Sequence, residues 1–230
     1  MSEIKVNKIS PATGTETTLG DTNDKFIVPS GAELEVASGA TITNAGTATN
    51  FGGGQWTKIK SQEITSSTAT MEWIDGTNDV VFDDTYTRYI LSISKLKPTN
   101  DGVYFYAHVT TDGGSSWKTS NYYTTNQDIW WSANDTGTSS TAQWIYSRNW
   151  ANDCLDGWGH IEFGNPTLVT YPGCSWILSC GLSSQSTWST SHWGSGAYRT
   201  ATAYDGFKLS FSSGNIDTMK ATLYGTIDGA

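Results

Sequence analysis

Two parts of the chain carry residue types able to do chemistry. His160-Ile161-Glu162 is followed by Pro172-Gly173-Cys174 and then Cys180. A His with two thiolates can hold zinc while a nearby Glu moves the protons of a metal-activated water, the layout of zinc-dependent deamination. The spacing fails here, because Cys174 and Cys180 are too far apart for one helical turn and Gly173 separates Pro172 from Cys174. Gly157 to Phe163 alternates in polarity, which reads as a strand with His160 on one face. No Gly-x-Ser-x-Gly elbow or phosphate-binding glycine loop is present, and Trp193-Gly194-Ser195-Gly196 lacks the spacing. Glycoside hydrolysis needs two carboxylates, and no pair stands out among Asp153, Asp156 and Glu162. These readings assign no catalytic residue, cofactor or metal ligand.

Thr110-Thr111-Asp112-Gly113-Gly114-Ser115-Ser116-Trp117 matches S/T-x-D-x-G-x-S/T-W, the Asp-box of sialidase propellers. The motif works as a hairpin tip in which the Asp bonds turn amides and the Trp folds over the loop. A propeller needs several copies and the chain has one. With only three arginines, Arg88, Arg148 and Arg199, a structural turn is the expectation. Asp75-Gly76-Thr77-Asn78-Asp79 with Asp83-Asp84 offers oxygen ligands for calcium but lacks the terminal Glu of an EF-hand loop. A solvated loop between strands is expected. Tryptophans concentrate in the middle and late chain. Adjacent Trp130 and Trp131 cannot both point inward from a strand, and Trp188 and Trp193 sit among small polar residues in a stretch, Ser183 to Gly196, that reads as a long loop. Indoles set among Ser, Thr and Asn suit sugar stacking or subunit contact, so Trp130, Trp131, Trp188 and Trp193 are the candidate glycan or partner contacts.

The elements that must position these residues are strands. Of 230 residues, 24 are Gly and roughly a quarter are Ser or Thr, while 11 Trp, 11 Tyr and 7 Phe supply apolar surface. That mixture disfavours helices and excludes disorder. A net charge of −9 with scattered lysines argues against nucleic acid, and apolar runs a few residues long argue against membrane insertion. The opening Met1-Ser2-Glu3-Ile4-Lys5 has no basic stretch before an apolar core, so folding in a cytoplasm is expected. Three cysteines, an odd number, fit free buried thiols better than a disulfide scaffold. Tyr89, Leu91 and Ile93 alternate with Ser92 and Ser94; Val103, Phe105, Ala107 and Val109 share a face; Phe207, Leu209 and Phe211 precede a turn at Ser213-Gly214-Asn215. Short strands and glycine-rich turns predict an all-β chain whose main domain is a jelly-roll-like β-sandwich.

Residues 1–52 differ in texture. They contain no Trp, Tyr or Cys, and Gly52-Gly53-Gly54 marks a boundary, giving an N-terminal segment at 1–52 and a sandwich domain at 53–230. Val28 to Glu35 aligns with Val36 to Thr43 in an eight-residue repeat, and Asn44 to Phe51 is a degraded third copy. Such rungs carry too few large apolar side chains to close a core alone. A homotrimer sharing a β-prism or β-helix axis would supply the missing neighbours, with Val28, Leu34, Val36 and Ile42 as oligomer contacts.

The opening Lys5-Val6-Asn7-Lys8-Ile9-Ser10-Pro11-Ala12-Thr13-Gly14, with Val28-Pro29-Ser30-Gly31-Ala32 and Ala40 to Ala48, resembles N-terminal segments of virion appendage proteins of marine tailed bacteriophages. The ending, Phe211 to Ile216 with Thr222-Leu223-Tyr224-Gly225, resembles the same proteins, as do Tyr89 to Ser92 and Asp112 to Ser116 in between. The resemblance implies a non-enzymatic structural protein of the virion, assembled in the host cytoplasm. A short tail fibre or tail-associated appendage is the first reading; a head-decoration protein and a carbohydrate-binding receptor module are the alternatives. Its partners would be copies of itself, other virion proteins and a host surface glycan. Because the repeat cannot bury itself, the purified protein is expected to sediment as a trimer at micromolar concentration; a monomer in analytical ultracentrifugation would overturn the oligomer contacts.

Overall fold

The chain divides into two units, Met1–Gly52 and Gly53–Ala230. The computed structural model describes residues 56–130, 133–139, 142–150, 154–182 and 190–226, all in the second unit. The described residues form strands and no helix: β1 (Trp56–Ile64), β2 (Thr70–Ile74), β3 (Arg88–Pro98), β4 (Val103–Thr110), β5 (Tyr122–Trp130) and β6 (Ala133–Ser139). They continue with β7 (Ile145–Trp150), β8 (Cys154–Gly164), β9 (Gly173–Leu182), β10 (Thr190–Tyr198), β11 (Gly206–Phe211) and β12 (Ile216–Thr226).

Alternation in the sequence becomes burial in the fold. Tyr89, Leu91 and Ile93 are buried while Ser92 and Ser94 are exposed, and Val103, Phe105, Ala107 and Val109 face inward together. Phe207, Leu209 and Phe211 on β11 and Met219, Ala221 and Leu223 on β12 do the same. The turns at Pro98 to Gly102 and at Ser213 to Asn215 hold each other: Thr99 N–H donates to the Asn215 carbonyl at 2.9 Å, and Asn215 N–H to Thr99 Oγ1 at 2.8 Å.

All strand pairs are antiparallel. The larger sheet runs β1-β12-β3-β8-β9-β10-β5-β6 and the smaller β2-β11-β4-β7. Five pairings nest inside one another and alternate between sheets: β1 with β12, β2 with β11, β3 with β8, β4 with β7, and β5 with β6. The hairpin β9–β10 widens the larger sheet between β8 and β5. The two sheets share one core, the arrangement of a β-sandwich. Rings bridge them: Phe163 of β8 meets Phe207 of β11 edge to face at 5.0 Å, and Trp150 of β7 stacks on His192 of β10 at 5.7 Å. Such ring pairs add about 0.5–1.5 kcal/mol each beyond their burial. Trp73, Trp144, Trp150 and Trp176 are fully buried, so much of the aromatic content is core.

Two expectations are corrected. Residues Thr190 to Gly196, read as part of a long loop, lie within β10. Their period of two was hidden because two inward positions are bare. A Cβ on Gly194 would lie 2.4 Å from the Trp176 ring, and one on Gly196 would lie 1.9 Å from the Trp144 carbonyl oxygen. The tryptophans occupy the space that inward side chains of β10 would need. The cysteines are also not all free thiols: Cys180 is disulfide-bonded, whereas Cys174 is free and buried. An odd count leaves one thiol over but does not forbid one bridge. Burial pushes the Cys174 thiol up, which keeps it protonated and unreactive.

The close approach at β10 generates a stability test. Gly196→Ala is expected to cost about 3 kcal/mol, roughly 6–12 °C in Tm for a chain of this size. Gly164→Ala, where an added Cβ meets nothing within 4 Å, should change stability by about 0.5 kcal/mol or less. Equal effects in thermal unfolding would contradict the packing of Trp144 against β10.

Candidate functional site

The core fixes the inward faces of β8, β9, β10 and β5, and the same alternation sets out rows of side chains on the outer face. One row crosses the sheet as His160, Ile177, Trp193 and Gln127. The next, parallel to it, is Glu162, Ser175, Ser195 and Thr125. On the other side Trp158 stands opposite Ser179, which stands opposite Ser191. Between the first two rows runs an open groove of about 1090 Å³, with Trp176 beneath Gly194 at its floor.

The groove joins an indole and an aliphatic side chain to hydroxyls, an amide, an imidazole and a carboxylate. Hydroxyls on adjacent strands are paired: Thr125 Oγ1 and Ser195 Oγ are 3.1 Å apart, and Ser179 Oγ and Ser191 Oγ 3.2 Å. Glu162 Oε1 accepts from Arg88 Nη1 of β3 at 2.5 Å. Both side chains are partly exposed, so the ion pair contributes about 1 kcal/mol or less to stability, and its main effect is to hold the carboxylate toward β3. Glu162 is the one carboxylate among the described groove residues. The arrangement can stack a ring on Trp193, contact its C–H face with Ile177 and bond its hydroxyls, which is the chemistry of holding a sugar.

Of the candidate contacts, Trp193 lines this groove. Trp130 ends β5, but its side chain, like all of Trp131 and Trp188, lies outside the described residues. Val28, Leu34, Val36 and Ile42 also lie outside them. Sequence reasoning missed Gln127, Ile177 and the row of Thr125, Ser195 and Ser175. The signal was their shared register across four strands, which no single segment displays. His160 and Glu162, singled out for zinc, do share a face, but Cys174 points into the core and Cys180 is in a disulfide. Among the described residues no three His, Cys, Asp or Glu side chains gather to hold a metal ion.

The acidic loop uses its carboxylates internally. Asp75 Oδ1 accepts from Phe82 N–H at 2.8 Å, Asp83 Oδ1 from Thr85 N–H at 2.9 Å, and Asp79 Oδ2 from Lys60 Nζ at 2.9 Å. Asp84 accepts from the Thr167 hydroxyl and from Asn165 Nδ2. The Asp-box segment is a structural turn, as its pattern predicts. Asp112 Oδ1 accepts from Ser116 N–H at 2.9 Å and from Thr110 Oγ1 at 2.8 Å, and Asp112 Oδ2 from Ser116 Oγ at 2.5 Å. Gly113 and Gly114 take φ values of 66° and 82°, and Lys208 Nζ lies 5.0 Å from the Trp117 ring centroid.

The Ser116 hydroxyl first, then the Ser116 amide and the Thr110 hydroxyl, lower the Asp112 pKa from 3.8 to about 2. A carboxylate with a depressed folded-state pKa stabilises the fold above its unfolded pKa and loses that contribution as pH falls through the folded value. Asp112→Ala is therefore expected to lower Tm at neutral pH by an amount that shrinks below pH 4 and largely vanishes near pH 2. A pH-independent difference between the two proteins would contradict this role.

No family model matches the chain, and no curated protein or solved structure matches it either.

Proposed function

We propose that the protein is a non-enzymatic structural component of a tailed-bacteriophage virion, a short tail fibre or tail-associated appendage, whose sandwich binds a saccharide of the host surface. The observation that carries the binding reading is the outer row of Trp193, Ile177, His160 and Gln127 beside a row of hydroxyls. An indole flanked by hydroxyls and an amide on a solvent-open sheet serves a polar ring better than it serves a protein core. A binding role without catalysis fits a groove whose one described carboxylate is held by Arg88, since glycoside hydrolysis takes two.

The nested strand pairs alternating between sheets support a jelly-roll-type sandwich. The disulfide at Cys180 suits a protein that works on an exposed, oxidising surface such as that of a virion after assembly in the host cytoplasm. In this reading the 1–52 segment supplies the trimer through Val28, Leu34, Val36 and Ile42 and joins neighbouring virion proteins. The sandwich faces the host.

A printed glycan array followed by tryptophan-fluorescence titration tests the binding role. The native protein should bind at least one glycan class, and Trp193→Ala should weaken that binding about tenfold or more, the loss of one stacked ring. A protein that binds no glycan would sink the recognition reading.

A further inference from the structure

Beyond the groove, where Trp193 is partly exposed, the outer face carries a further indole that is exposed. Trp158 of β8 is 58% exposed and lies on the same face as His160 and Glu162. The β8–β9 register runs without a shift from Asp156 to Phe163, and the β9–β10 register without one from Thr190 to Ala197. Those two registers place Trp158 diagonally from Trp193. Two strand spacings across and two residues along put their Cα positions roughly 12 Å apart. Between them lie Ile177, 49% exposed, and the hydroxyl of Ser179.

Resting on the saccharide-binding reading above, the geometry points to a ligand that is an extended neutral oligosaccharide, lying diagonally across β10, β9 and β8 with one ring on Trp193 and another on Trp158. A single pyranose ring is too short to touch both indoles, whereas the end rings of a trisaccharide can. Ile177 then meets the C–H edge of the middle ring while Ser179 and its partner Ser191 bond hydroxyls.

Charge selects against acidic sugars. Among the described residues of the groove the one permanent charge is the Glu162 carboxylate, paired with Arg88. Among the described residues lining the groove there is no Lys or Arg to receive a uronate or sialate, and the whole chain carries −9. A polyanion would meet long-range repulsion without a local counter-charge. A neutral chain meets hydroxyls, an amide, rings and the Ile177 side chain without bringing a charge up to the Glu162 carboxylate.

The test uses the full-length protein, a printed array of neutral and acidic glycans from one to eight units, and titration of the strongest hit together with its own shortened forms. Neutral glycans of three or more units should bind, with affinity rising steeply between two and three units. Trp158→Ala should weaken the longer glycans about tenfold and leave one- and two-unit fragments unchanged, while Trp193→Ala weakens both. Trp158 is exposed, so its replacement is expected to leave the fold intact, which circular dichroism checks. If glycans bind but monosaccharides bind as well as hexamers, if Trp158→Ala has no effect, or if acidic glycans are preferred, the extended neutral ligand is wrong and the binding role stands. Absence of any glycan binding overturns both.

Discussion

Strand register is the constraint on which the rest of the structure depends. Side chains alternate with a period of two, so a one-residue slip in any strand of the larger sheet would exchange its faces. Ring-on-ring packing such as Phe163 against Phe207, and the Trp176 indole lying against the bare backbone of β10 at Gly194, favour one register. With the inner faces locked, the outer rows have no freedom. Trp193, Ile177 and His160 align because Trp176, Leu178 and Ile161 are buried beneath them. The surface that meets solvent is thus specified from the inside.

The same logic explains how one residue type serves opposite ends. Trp73, Trp144, Trp150 and Trp176 are fully buried, while Trp56 and Trp158 are more than half exposed. In a small sandwich the few largest rings fill the gap between sheets, and any further indole on an even-numbered step of a strand must face outward. Small neighbours matter at both places. Glycine beneath the core indoles admits them to the backbone, and serine and threonine beside the outer indoles keep that face wettable.

Much of the architecture was legible in the sequence wherever apolar and polar residues alternated cleanly. β3, β4, β11 and β12 could be read directly from Tyr89 to Ser94, Val103 to Thr110 and Phe207 to Leu223. So could the Asp112 turn, whose chemistry is local. β10 could not, since Gly194 and Gly196 occupy inward positions that large apolar residues would normally mark, and the reason lies on other strands. The groove was legible only through Trp193, because its rows are assembled from four segments spanning residues 125 to 195. The bridged state of Cys180 was likewise a property of folded geometry, and parity alone pointed the other way.

The nested pairing has a consequence for how the protein is made. β12 lies between β1 and β3, and β11 between β2 and β4. The first described strands therefore have no partner in either sheet until the last ones leave the ribosome. Contacts between such distant segments close slowly, and the waiting strands present bare edges in the meantime. A nascent chain broken off before residue 206 lacks β11 and β12, the strands that join β2 and β1 to the rest of their sheets. Translation must reach β12 before β1 finds its partner, and until then the edge of β3 that β12 covers stays open to pairing with another chain.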